Sequence, residues 1–164
     1  MNNTSLFIRF AREEDAALIL EFIRQLAVFE KLEDQITASV EDIRVSLFEK
    51  RQAEVIIAEV RGEPAAFALF FHNYSTFLGK ANLFLEDLFV KEEYRGNGLG
   101  EAMLRRLAEI AVERGCERLD WLCLDWNHPA IAFYQRVGAV ILADRRVFRI
   151  SGDRLADFTK SESV

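Results

Sequence analysis

Three glycines alternate through Arg95-Gly96-Asn97-Gly98-Leu99-Gly100, and the run Glu101-Ala102-Met103-Leu104-Arg105-Arg106-Leu107 follows with helical character. Glycine tolerates positive φ, and without a Cβ it lets a ligand come close to the backbone. The first N–H groups of a helix have no internal partner and stand at the positive end of its dipole. A glycine loop entering a helix is therefore a phosphate cradle, to which Arg95 can add a bidentate donor. A Walker loop needs a lysine after its last glycine, and this chain has Glu101 there. A dinucleotide fingerprint needs a third glycine three positions after Gly98, which is Glu101 again. A helix start that is merely glycine-rich explains one glycine. Three within a helix would cost roughly 1 kcal/mol each, so a ligand should compensate.

The cradle needs a strand before it and a packed helix after it. Residues 83–90 (Leu-Phe-Leu-Glu-Asp-Leu-Phe-Val) read as that strand, and Leu99, Met103, Leu104, Leu107, Ile110 and Ala111 line one helix face up to Gly115. A strand over residues 118–124 should lie parallel to 83–90 through a right-handed crossover. Upstream, residues 6–11 alternate as a first strand, and Leu18, Ile19, Phe22, Ile23, Leu26 and Phe29 give an amphipathic helix. Thr37 or Ser39 can cap a short second helix carrying Ile43, Leu47 and Phe48. Strands at 54–60 and 65–72 read as a hairpin across Arg61-Gly62-Glu63, with a loop over 73–80. Downstream, Pro129 opens a helix at 130–137 that Gly138 ends. Strands at 139–143 and 147–150, a short helix at 154–158 and a polar tail complete the chain. The class is mixed α/β with a central twisted sheet.

At 164 residues and 51% hydrophobic, the chain reads as a single globular domain, residues 1–164. No apolar run approaches 18 residues, so no membrane partner is expected, and the uncharged Met1–Ser5 start is no secretory signal. The net charge of −6 argues against nucleic acid as the main partner and suits a cationic substrate. Cys116 and Cys123 fit no metal spacing and read as buried thiols in a reducing cytoplasm. His72 and His128 lack a ligand partner at helical spacing, so no metal is expected.

Arg-Gly-x-Gly-x-Gly after an apolar strand bearing acids resembles the acetyl-CoA-binding signature of the GNAT-superfamily N-acetyltransferases. The element order resembles that fold over nearly the whole chain: N-terminal helices, a mixed twisted sheet, a splayed parallel strand pair and the glycine-loop cradle. Within it, the chain is similar to the diamine (spermidine/spermine) acetyltransferases and their thialysine-acetylating relatives. Phe29-Glu30, Leu85-Glu86-Asp87, Phe89-Val90, Arg95 to Gly100, Trp126-Asn127, Pro129 and Phe133-Tyr134 carry that similarity.

The resemblance implies acetyl-CoA as donor, a small amine as acceptor, no metal and a homodimer. A primary amine of pKa ~10.4 is protonated at neutral pH, and freeing its lone pair costs roughly 4.6 kcal/mol. Glu86 is implied to bind the cation and take its proton, although an acid paired with a base on an outward face would look the same. Strand alternation sends Asp87 to the opposite sheet face, so only one of the two can serve the amine. The resemblance places the oxyanion donor at the Val90 N–H and pairs pantetheine with Leu88, Phe89 and Val90. It gives the pyrophosphate to Arg95, Gly96, Asn97, Gly98, Leu99, Gly100 and Glu101, with Asn127 and Ala130 as further cofactor contacts. Tyr134 is implied to protonate the leaving thiolate, against its reading as a core aromatic. Phe29, Glu30, Glu86, Asp87 and Asp125 would form the acceptor trough. His128 stands where the diamine enzymes carry an acid, and Arg145-Arg146 would repel a polycation but hold a carboxylate. An amino-acid-like amine therefore rivals spermidine. Acetylation of a protein N-terminus or lysine, or non-catalytic acyl-CoA binding, are the alternatives.

Overall fold

The computed structural model describes residues 5–160; the start and the last four residues of the polar tail lie outside the described residues. Five strands form one sheet in sequential order: β1 (Leu6–Phe10), β2 (Glu54–Val60), β3 (Glu63–Ser75), β4 (Lys80–Val90) and β5 (Leu119–Trp121). The first four pair antiparallel, and β5 runs parallel to β4. The helices are α1 (Ala16–Glu30), α2 (Val40–Arg44), α3 (Leu99–Glu113), α4 (His128–Arg136) and α5 (Asp153–Phe158). The chain divides into two compact units, one through Leu124 and one from Asp125. No helix of the described residues is long and apolar enough to cross a membrane.

In the first unit β2 and the middle of β3 bury both faces, which is why they read as runs of apolar residues without clean alternation, whereas β1 is largely exposed. On one face Ile19, Leu20 and Phe22 of α1 pack with Ile57, Phe67 and Phe89. The Phe22 ring stacks on Phe67 at 5.1 Å and meets Phe89 edge-on at 6.4 Å. The opposite face of the sheet takes α3, whose buried Leu99, Met103, Leu104, Leu107 and Ile110 match the expected stripe. Gly115 has φ +72° and closes α3 in the left-handed conformation. Ser39 caps α2 by accepting from the Asp42 N–H.

Three expectations change. The loop expected at 73–80 shrinks to a turn over 76–79, because β3 and β4 continue in register as far as Ser75 and Lys80. β5 is three residues long, as its parallel pairing with β4 covers only Leu83 to Leu85. Residues 139–143 and 147–150 form no strand. Their apolar content supplies β propensity, but a strand also needs a neighbouring strand for its backbone groups, and no strand of the described residues pairs with them. Val140 is 83% exposed and Phe148 92%.

A charged cluster ties β1 to the start of α1. Arg9 donates to both carboxylate oxygens of Asp15, at 2.7 and 3.0 Å, and its Nε donates to Glu59 at 2.9 Å. The Arg12 N–H also donates to Asp15 at 2.7 Å. Asp15 is only 8% exposed. The Arg9 hydrogen bonds hold its carboxyl below the ordinary 3.8 despite that burial. Breaking a buried pair typically costs about 3–5 kcal/mol; because the Arg9 side chain is 20% exposed, Asp15→Asn should cost about 2–3 kcal/mol at pH 7 in urea unfolding. A carboxylate with a lowered folded pKa stabilises above its unfolded pKa, and that stabilisation is lost as pH falls through the folded value. The difference between wild type and Asp15→Asn should therefore narrow below about pH 4.

Candidate active site

β4 carries one residue more than β3 opposite it. Phe70 pairs with Leu85 and Leu69 with Asp87, leaving Glu86 as the bulged residue. A bulge of this kind breaks the two-residue period. Leu85 belongs to the α3 face, whereas Asp87 pairs with Leu69 on the α1 face that also holds Phe89. The expectation that alternation sends Glu86 and Asp87 to opposite faces therefore fails, because the extra residue absorbs the alternation. Their charges also interact directly.

The bulge also turns the hydrogen-bonding edge of β4. The Lys91 N–H donates to the Ala65 carbonyl at 3.0 Å, so in the register that pairs Val90 with Ala66 the peptide groups of Val90 and Leu88 point away from β3. Before the bulge, the Leu83 N–H donates to the Arg118 carbonyl at 3.0 Å. Pairing with β5 then stops at Leu85, one residue before Glu86. The Leu88 and Val90 backbone groups are thus aimed at the side β5 has left. They can accept a ligand that hydrogen-bonds like a strand.

Acids gather beside this opening. Burial, then the charges of Glu86 and Glu30, push the Asp87 carboxyl up to about 6. Burial also raises Glu30, the last residue of α1. Burial and the Glu30 charge raise the thiol of Cys123, just past β5. Glu30, Asp87 and Cys123 therefore share one neighbourhood, drawn from α1, β4 and the end of β5. Glu86 itself is exposed. Cys123, expected from sequence to be buried like Cys116, is exposed because it lies just past the end of β5, and nothing near it in sequence marks it for this neighbourhood.

The glycine loop follows a 3₁₀ turn at Glu92–Tyr94. Gly96 has φ +76° and Gly98 φ +78°, a region that side chains disfavour; Gly98 is the N-cap of α3. Gly100 already lies inside the helix. The first intrahelical bond runs from the Ala102 N–H to Gly98 at 3.0 Å, so the N–H groups of Leu99, Gly100 and Glu101 have no helical acceptor. The Leu99 side chain is buried in the core, so only its backbone can serve a ligand. Glu101 is held by Arg105 at 3.0 Å. Asn97 donates back to the Arg95 carbonyl at 3.2 Å. The Arg95 guanidinium, expected from sequence to add a bidentate donor to the cradle, makes contacts within the protein. Its Nε donates to the Val90 carbonyl at 2.8 Å, and its carbon lies 5.0 Å from the Phe29 ring centre and 5.4 Å from that of Phe89.

The remaining expected residues belong to the second unit. Asn127 caps α4, its Oδ1 accepting from the Ala130 N–H at 3.3 Å, so these two cofactor candidates are engaged with each other. The helix accordingly starts at His128, two residues earlier than expected. Tyr134 is half-buried, its ring 5.3 Å from Phe133. Asp125 is exposed ahead of the cap.

The acetyltransferase (GNAT) family matches residues 20–139. A thialysine N-epsilon-acetyltransferase from Bos taurus is 37% identical, over 93% of this chain and 96% of its own. The L-ornithine N5-acetyltransferase NATA1 of Arabidopsis thaliana is 30% identical, over 93% and 87%. Among solved structures, an integron cassette protein from the mobile metagenome of V. cholerae superposes with a TM-score of 0.81 at 27% identity, covering 97% of this chain and all of that one. The chain belongs to the GNAT acetyltransferase family. It is an acyltransferase of the N-acetyltransferase type, and enzymes of this family draw their acetyl group from acetyl-CoA.

The raised Asp87 pKa has a stability cost with a definite sign. Below the ordinary 3.8 the carboxyl is neutral folded or unfolded, and the cost accumulates as pH rises from there to about 6. Above that, the penalty is constant at no more than about 3 kcal/mol, two pH units at ~1.36 each. Asp87→Asn should therefore stabilise the protein at pH 8 and leave it nearly unchanged at pH 3.5, read by chemical denaturation at both.

Proposed function

We propose that this enzyme uses acetyl-CoA to acetylate the terminal primary amine of a small cationic acceptor, a lysine- or ornithine-like amino acid before a diamine or polyamine. Transfer is by direct attack in a ternary complex. The observation that carries the reading is the meeting of the turned-out Leu88 and Val90 backbone with the acids at the bulge. Pantetheine pairs with the first as an added strand, and the second hold an ammonium group. The N–H groups of Leu99, Gly100 and Glu101, which have no helical acceptor, receive the pyrophosphate.

In this mechanism the exposed Glu86 holds the ammonium while Asp87, with a pKa near 6, takes its proton. The amine lone pair attacks the thioester carbonyl, and the Val90 N–H stabilises the oxyanion. Collapse re-forms the carbonyl and breaks the C–S bond; the electron pair leaves on sulfur, Tyr134 gives it a proton, and the second proton on the new amide nitrogen restores the Tyr134 hydroxyl. Phe29, Glu30 and Asp125 are kept as acceptor residues on the resemblance. The names of the thialysine and ornithine relatives support an ω-amino acid, and Arg145 and Arg146, both exposed, offer its carboxylate a partner.

One acetyltransferase domain is proposed for the whole chain, since the family match runs across the boundary between the units. A reducing cytoplasm is proposed because both cysteines are free thiols. The exposed Val140 and Phe148 support a homodimer. Sedimentation at micromolar concentration should give about twice 18.9 kDa, and a monomer would overturn that claim.

The reading is tested by thiol release with L-ornithine, thialysine, spermidine and a peptide amine. Turnover should be best with the first two; turnover on peptides alone would overturn it. Tyr134→Phe should keep donor affinity and lower kcat about 10²–10³-fold. For the wild type, kcat/KM should fall as pH drops through about 6, and Asp87→Asn should lose that limb.

A further inference from the structure

Arg95 touches three parts of the site with one side chain. Its backbone belongs to the glycine loop, its Nε bonds the Val90 carbonyl on the donor strand, and its planar cation lies over Phe89 of that strand and Phe29 at the end of α1. Phe29 immediately precedes Glu30, whose charge raises Asp87. A guanidinium can stack its faces on rings while its edge donates; an ammonium has no such plane. Resting on the acetyltransferase reading, we propose that Arg95 is a positioning residue for the amine acceptor. It fixes the glycine loop and β4 against the end of α1, so that the donor grip and the acceptor mouth are set together.

This assignment differs from the phosphate-ligand role in which donor it affects. A phosphate ligand matters only when pyrophosphate is present. A clamp matters equally for a donor that has none.

The test compares acetyl-CoA with S-acetylpantetheine, which lacks the pyrophosphate, in wild type, Arg95→Lys, Arg95→Met and Phe29→Leu. Arg95 is exposed, and the lysine variant keeps its charge, so folded protein is expected; thermal melting checks it. Arg95→Lys and Arg95→Met should each raise the amine KM about tenfold with either donor. Phe29→Leu should raise it by a similar factor, and combining it with Arg95→Met should add little, as for two residues of one contact. An unchanged amine KM, with a loss confined to acetyl-CoA in Arg95→Met, would overturn the proposal and make Arg95 a pyrophosphate ligand. Strict additivity of the two variants would overturn it as well. If the wild type transfers acetyl from neither donor, the acetyltransferase reading falls first and the clamp with it.

Discussion

Everything at the site depends on one extra residue in one strand. With Glu86 inserted opposite the Leu69–Phe70 step of β3, β4 changes which of its peptide groups face β5. Before the bulge, odd-numbered residues such as Leu83 bond β5; after it, Leu88 and Val90 point that way. β5 ends its pairing at that point, so the turned-out groups meet no strand. A regular β4 would have continued its ladder or pointed those groups elsewhere. Instead the sheet is closed on one side of the bulge and open on the other, and the open half can take a ligand as its missing strand.

The same bulge brings carboxylates together at a cost. Asp87 lands on the apolar face beside Phe89, where burial and the charges of Glu86 and Glu30 resist its ionisation. A chain selected for stability alone would not keep three acids there. The other buried acid, Asp15, shows the contrast. It is matched by Arg9 and a backbone N–H, and its pKa is lowered. One acid is satisfied within the fold and the other is left wanting a cation. That difference marks Asp87 as chemically poised and Asp15 as structural.

The aromatic residues do two jobs on the α1 face. Phe22, Phe67 and Phe89 form the interior contact of helix and sheet, by stacking and edge-on packing. At its rim the same cluster becomes a platform for cations, with Lys91 5.5 Å from the Phe22 ring centre and Arg95 over Phe29 and Phe89. The core thus reaches the glycine loop without a break, and that loop is braced by the packing that buries α1.

The sequence by itself determined the elements whose signals are local. The stripe on α3, the glycines at Gly96 and Gly98, Gly115 as a stop and Ser39 as a cap are set by backbone conformation and by neighbours one turn away. The glycine spacing and the acids of β4 also marked where the chemistry should be sought. Tertiary structure decided what depends on a partner far along the chain. The bulge exists only in the register of β4 against β3, so no alternation rule applied to β4 alone could have kept Glu86 and Asp87 on one side. The stacking of Arg95 on Phe29 joins residues 66 positions apart, and the raised pKa of Asp87 needs Glu30 from another element. Residues 139–150 look like strand because their apolar composition favours one. Whether they become strand depends on an edge to pair with, and composition carries no information about that.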